Sequence, residues 1–266
     1  LDDWRKLSNK EKDLVGKVFG GLKAVADVTM TIEQGTLIAL IGTNGAGKTT
    51  LFNMLTGESG PSSGTITLYT ADGPVDITKK KAYQVAKLGV ARTFQNIRLF
   101  GAMTVKENVL VARTHLYRES FIGTMLRLPQ FYQQEAAVAT AADELLDFFE
   151  LADVADEPTA SLPYGTQRRG EIVRAVATKP QLLFLDEPAA GMNPEETADL
   201  GRLITRIREH FGITVVLIEH DMSLVMKLAE SIYVLDHGAM IASGTPNEIQ
   251  TNAQVISAYL GGENHA

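Results

Sequence analysis

The chain of 266 residues is 45% hydrophobic and 21% charged, with 23 Gly, 9 Pro and no Cys. This fits one large globular domain, or a core with a smaller insert, and excludes collagen-like, disordered and disulfide-stapled classes. Its 25 basic and 32 acidic residues give a net charge of −7, a poor match to a nucleic-acid binder, so no nucleic-acid partner is expected.

Without cysteine there is no Fe–S cluster or thiolate zinc site. No apolar run reaches the roughly 18 residues of a membrane span, and the opening LDDWRK lacks an apolar signal core. The sequence therefore reads as soluble and intracellular. There is no internal repeat. The first eighteen residues are charged and weakly patterned, with Leu14–Val18 at most a short strand remnant. From Thr36 to Ile41 (TLIALI) a continuous apolar run reads as a strand buried on both faces. A Gly-rich loop follows, then a helix over Lys48–Thr56 on Leu51, Met54 and Leu55, with Gly57 as its stop. Thr65–Tyr69 alternates as a half-exposed strand after a Pro-Ser-Ser-Gly turn, and Val90–Phe94 is another short strand.

Between Thr104 and Leu162 the period turns helical. Val105, Val109, Leu110 and Ala112 give one helix, and Ala137–Leu151 gives a second. Strand-like runs return at Leu182–Leu185, Thr214–Ile218 and Ile232–Leu235, the first two separated by a helix with Leu200, Leu203, Ile204 and Ile207 on its apolar face. Such alternation points to an α/β fold with a parallel sheet, into which residues 104–162 are inserted as a helical subdomain. The core is then 1–103 and 163–266.

Three sites carry chemistry. Gly42-Thr43-Asn44-Gly45-Ala46-Gly47-Lys48-Thr49 matches G-x-x-x-x-G-K-[ST] with a strand before it and a helix after. Its amides and helix N-terminus suit phosphate oxygens, Lys48 the β/γ-phosphates, and the Thr49 hydroxyl Mg²⁺. Leu182–Glu187 is an apolar strand closed by two acids, an ordinary strand cap by itself. After a P-loop, Asp186 suits the Mg²⁺ shell and Glu187 suits activation of the attacking water. Val216–Asp221 is a further buried strand, closed by Glu219, His220 and Asp221. Alone, His220 would be a surface histidine, and Gln95 after Arg92-Thr93-Phe94 an ordinary strand-end amide.

Together these residues resemble the ATP-binding subunits of ABC transporters over about Phe19–Gly262. The resemblance implies a P-loop NTPase core of mostly parallel sheet, with an antiparallel β part and the inserted helical subdomain. It places ATP against Phe19 (adenine stacking), Val25, and the loop from Gly42 to Thr49 and on to Thr50. It makes Gln95 the Q-loop glutamine that contacts Mg²⁺ and faces the transmembrane partner, His220 the switch histidine, and Asn193 the D-loop residue. Leu162-Pro163-Tyr164-Gly165-Thr166 falls at the signature that touches the partner's ATP.

More narrowly, the chain is similar to the branched-chain amino-acid importer subunits. Arg92–Gln95 with Arg98-Leu99-Phe100, the Tyr-Gly signature before Gln167-Arg168-Arg169, Glu187–Pro194, Ile218–Met222 and the tail Val255–Gly261 carry that likeness, as does the aromatic-rich stretch Tyr117–Tyr132. The implied setting is the cytoplasmic face of the inner membrane, held there by transmembrane permease subunits and served indirectly by a periplasmic solute-binding protein.

Three departures stand out: Pro163 for the signature serine, Asn193 for the D-loop aspartate, and no clear edge strand before the aromatic. Since Pro163 has neither a hydroxyl nor an N–H to donate, the second ATP-binding subunit is expected to be a different chain, a heterodimer rather than a homodimer. The alternative function is a soluble ABC ATPase outside transport. No guanine-reading Asn-Lys-x-Asp is present to suggest a GTPase, and intact Lys48, Glu187 and His220 oppose a dead regulatory subunit.

Overall fold

The computed structural model describes residues 15–19, 22–116 and 129–261. In chain order the strands and helices are β1 Val15–Phe19, β2 Leu22–Val28, β3 Leu37–Gly42, α1 Lys48–Leu55, β4 Thr67–Thr70, β5 Gly73–Asp76, α2 Ala82–Lys87 and β6 Val90–Arg92. They continue with α3 Val105–Arg113, α4 Pro129–Phe148, α5 Tyr164–Val176, β7 Leu182–Asp186, α6 Pro194–Phe211, β8 Thr214–Ile218, α7 Met222–Leu228, β9 Ser231–Asp236, β10 Ala239–Gly244, α8 Pro246–Thr251 and α9 Ala253–Gly261. The class is α/β with a mixed, mostly parallel sheet. The chain divides into two compact units: residues 1–33, 38–88 and 229–266, and residues 34–37 and 89–228.

In the first unit β3 runs parallel to β9, with Ile38 opposite Ser231 and Gly42 opposite Leu235, and β10 closes onto β9 antiparallel. All six β3 residues are buried, as a run apolar on both faces requires. Two antiparallel pairs accompany them, β1 with β2 and β4 with β5. The first corrects the sequence reading: the N-terminal segment does form a strand, Val15–Phe19, and its partner is Leu22–Val28, which the apolar pattern did not reveal. The ladder shifts register between Val15 and Val18, and Asp27 sits at φ 51, so no clean alternation survives in the sequence.

In the second unit β6, β7 and β8 are parallel neighbours, with Arg92 opposite Phe184 and Asp186 opposite Ile218. Apolar β7 and β8 carry their closing polar residues, Asp186-Glu187 and Glu219-His220, at the C-terminal ends of the strands, where open α/β sheets place ligands. Helix α6 buries Leu200, Leu203, Ile204 and Ile207, the face expected from its spacing. Helix α3 starts at a capping box, where Thr104 accepts from the Glu107 amide and Glu107 accepts from the Thr104 amide. The stretch 117–128, most of the aromatic-rich segment, lies outside the described residues.

Candidate functional site

In the first unit, main-chain geometry sets the P-loop. Gly42, at the end of β3, has φ 154, and a Cβ there would collide with the Leu235 carbonyl oxygen; Gly47 has φ 97, and its Cβ would lie 2.5 Å from the Ala24 oxygen. Only glycine fits both the backbone conformation and the close approach. The Ala46 carbonyl accepts from the Gly238 amide at 3.0 Å, and the Thr43 hydroxyl donates to Asp236 at 3.1 Å, so the β9–β10 turn braces the loop.

Lys48 is 6% exposed. Its ammonium donates to the Gly42 and Thr43 carbonyls at 2.9 Å each, which aims it along the loop. Asn44 and Thr49 are exposed, while Thr50 is half-buried. Helix α1 begins after Gly47 with no side-chain cap and no acid in its first turn, leaving amides and dipole for an anion. Val25 is buried and would touch any Cβ added at Gly47. Phe19 closes β1.

In the second unit, side chains gather around Glu187. Glu187 follows β7 at φ 47, the left-handed region that non-glycine residues occupy at a cost. One carboxylate oxygen accepts from Gln95 Nε2 at 2.8 Å, and the other pairs with His220 Nε2 at 2.8 Å. Thus three residues separated by 92 and 33 positions meet at one carboxylate. Its neighbour Asp186 is paired with Arg92 at 2.7 Å, with side-chain exposures of 8% and 5% for Arg92 and Asp186.

Glu219, 4% exposed, fixes the His220 turn. Its carboxylate accepts from the amides of Ala189 at 2.7 Å, His220 at 3.0 Å and Asp221 at 3.4 Å. Burial pushes its carboxyl above the usual range despite these donors, and the charge of Glu187 adds to the rise.

The signature stretch sits in the same unit. Leu162 is buried, Pro163 and Tyr164 are exposed, and Gly165 and Thr166 are half-buried. Pro163 is the N-cap of α5 and gives it no side-chain bond. The Gln167 amide makes the first helical bond, donating to the Pro163 carbonyl at 2.9 Å, and its side chain donates to the Leu162 carbonyl at 2.8 Å. Asn193 caps α6, accepting from the amides of Glu195 at 3.0 Å and Glu196 at 2.9 Å. Asn and Asp cap about equally well, so this departure has a local structural role.

Sequence reasoning missed Arg92, Glu219, Arg168 and Glu171 as working residues. The side chains of Arg168 and Glu171 are 0% and 1% exposed and paired at 2.9 Å. Charged residues are almost never fully buried unless paired, but the spacing of Arg168 and Glu171 within α5 says nothing about depth. A clue lay in Glu219, a charge placed directly after the fully buried strand β8.

A family model described as ABC transporter matches residues 25–190, and one described as branched-chain amino acid ATP-binding cassette transporter matches residues 239–265. The high-affinity branched-chain amino acid transport ATP-binding protein LivG of Salmonella typhimurium is 45% identical over 243 residues, 91% of this chain and 94% of its own. BraF of Pseudomonas aeruginosa, which carries the same description, matches with the same identity and coverage. Among solved structures, MJ1267, an ATP-binding cassette of an ABC transporter, in its ADP conformation has a TM-score of 0.78 at 29% identity, covering 94% of this chain and 97% of its own.

Proposed function

Because the chain belongs to the ABC transporter family of ATP-binding proteins, we propose that it is the ATP-hydrolysing subunit of an importer of branched-chain or related amino acids. The observation that carries the reading is the carboxylate of Glu187, held from both sides by Gln95 and His220 at 2.8 Å. It is oriented to take a proton from water, with His220 placed to share the charge.

The P-loop amides and Lys48 bind the phosphates, and Phe19 stacks on adenine. Thr49, Gln95 and Asp186 offer oxygen donors, the chemistry of a hard cation. Among the described residues no group of three or more His, Asp or Glu could hold a metal ion. Mg²⁺, when bound, neutralises charge on the β- and γ-phosphate oxygens. Arg92 holds Asp186 meanwhile, keeping that buried carboxylate compensated.

No helix among the described residues is long and apolar enough to cross a membrane. As in an importer of this family, the subunit would attach to the cytoplasmic face through permease subunits, fed by a solute-binding protein, with residues 104–162 as the inserted helical subdomain. Two such cassettes would enclose ATP between one P-loop and the other's signature. Pro163 removes one donor from that signature, which favours a heterodimer. Full ATPase activity from a homodimeric assembly, unchanged by Pro163→Ser, would overturn that preference.

The test of the site separates binding from chemistry. Lys48→Ala is expected to weaken ATP binding. Glu187→Gln is expected to keep ATP bound and lower turnover by about 10²–10⁴-fold. Wild-type hydrolysis by Glu187→Gln in the assembled transporter would refute the assignment.

A further inference from the structure

Arg168 and Glu171 form a buried ion pair directly behind the segment that carries Gln95. Arg168 Nη1 donates to the Phe94 carbonyl at 2.8 Å and to Glu171 at 2.9 Å; Nη2 donates to the Gln95 carbonyl at 2.7 Å and to the Tyr164 hydroxyl at 2.9 Å. Glu171 in turn accepts from the Phe94 amide at 3.4 Å and the Arg98 amide at 3.3 Å. Gln95 itself is exposed, so its main chain is fixed from beneath while its side chain reaches Glu187.

A buried pair of this kind contributes little net stability, because desolvation offsets the attraction. What it supplies is direction: a planar guanidinium holds several acceptors in one fixed fork, which an ammonium cannot do. At the other end of the fork, Tyr164 stands in the first turn of α5, half-exposed at 45%. Its ring edge lies 3.7 Å from where a Cβ on Gly191 would be.

We propose that Arg168 is a positioning residue that joins the start of α5 to the catalytic carboxylate. It keeps the Phe94 and Gln95 carbonyls in place, so that the Gln95 amide stays on Glu187. Through the Tyr164 hydroxyl it makes that hold depend on what lies against the signature. The line runs Tyr164, Arg168, Gln95, Glu187, and each link is a hydrogen bond of 2.7 to 2.9 Å. Contact of a partner's ATP with the signature would thereby set the base that acts on this chain's own nucleotide. The inference rests on the reading of Glu187 as general base.

The test measures ATPase kcat and KM in the assembled transporter for Arg168→Lys and Tyr164→Phe, each alone and combined with Gln95→Ala. Arg168→Lys should lower kcat roughly tenfold with KM for ATP unchanged, the size of effect a small misplacement produces. In the Gln95→Ala background the same change should cost less than about twofold, since residues acting through one another are not additive. Tyr164→Phe deletes one hydroxyl and leaves the buried pair whole, so it decides the matter if Arg168→Lys does not fold. It should lower kcat about threefold, again only when Gln95 is present.

In the nucleotide-free protein, amide exchange at Phe94 and Arg98 should speed about tenfold in Arg168→Lys and stay unchanged in Glu187→Gln. Equal losses with and without Gln95, or slow exchange at Phe94 and Arg98 in Arg168→Lys, would overturn the coupling. If Glu187→Gln still turns over while the Arg168 effects are additive, the base assignment fails as well; if Glu187→Gln is inactive, only the coupling fails.

Discussion

In the P-loop the geometry comes from the main chain. Gly42 and Gly47 hold positive φ with carbonyl oxygens packed where a Cβ would stand, and Lys48 bonds to the loop's own carbonyls. Around Glu187 almost everything comes from side chains: Gln95, His220, Arg92 on the neighbouring aspartate, and Glu219 beneath the turn. The first construction tolerates no added atom at its contact points. The second tolerates shape changes but answers to charge and hydrogen-bonding capacity, and so can be adjusted by other parts of the unit that holds it.

Gly42→Ala should show the largest effect of this difference, destabilising the chain by about 3–5 kcal/mol in urea unfolding, through strain and collision with Leu235. Gly45, also at positive φ (79°) but with nothing within 4 Å of a Cβ, should cost only about 1–2 kcal/mol on change to Ala. Equal costs at the two positions would erase the distinction. Arg92→Met belongs to the second construction: it leaves Asp186 buried and uncompensated, which should cost on the order of 3 kcal/mol.

Asn193→Ala should lower unfolding free energy by about 1 kcal/mol through loss of the α6 cap, whereas Asn193→Asp should leave it within about 0.5 kcal/mol. The smallest effect concerns pH. The folded pKa of Glu219 lies above its ordinary 4.5, so the native state binds the proton more tightly than the unfolded chain. Stability should fall as pH rises from 4.5 toward that raised value, and the fall should be absent in Glu219→Gln, as read from urea midpoints across the window.

The P-loop was legible because its requirements are contiguous: glycines, a lysine and a hydroxyl at fixed spacing between an apolar strand and a helix. Glu187 was legible because it closes an apolar run in a chain that also carries a P-loop, whereas His220 closes another such run and was singled out only by the resemblance to ABC ATP-binding subunits. Arg168 was not. It sits between Gln167 and Arg169, three polar residues in a row that enter the sequence reading only as part of a resemblance, and only folding shows that Arg168 is fully buried. Its partners Phe94 and Gln95 lie 74 and 73 residues away, a separation that periodicity cannot see.

Likewise β5 holds Gly73 and Pro74, residues that argue against a strand until pairing with β4 settles it. In the first case a partner distant in sequence, and in the second the adjacent strand of a hairpin, decided what single-residue preference left open.

The most direct measurement is labelled leucine uptake by cells in which Glu187→Gln replaces the native chain, with ATP binding assayed on the purified variant. An importer ATPase whose base is Glu187 predicts uptake reduced to background while ATP remains bound. Uptake at the native rate with ATP bound would contradict both the base and the coupling of its chemistry to transport.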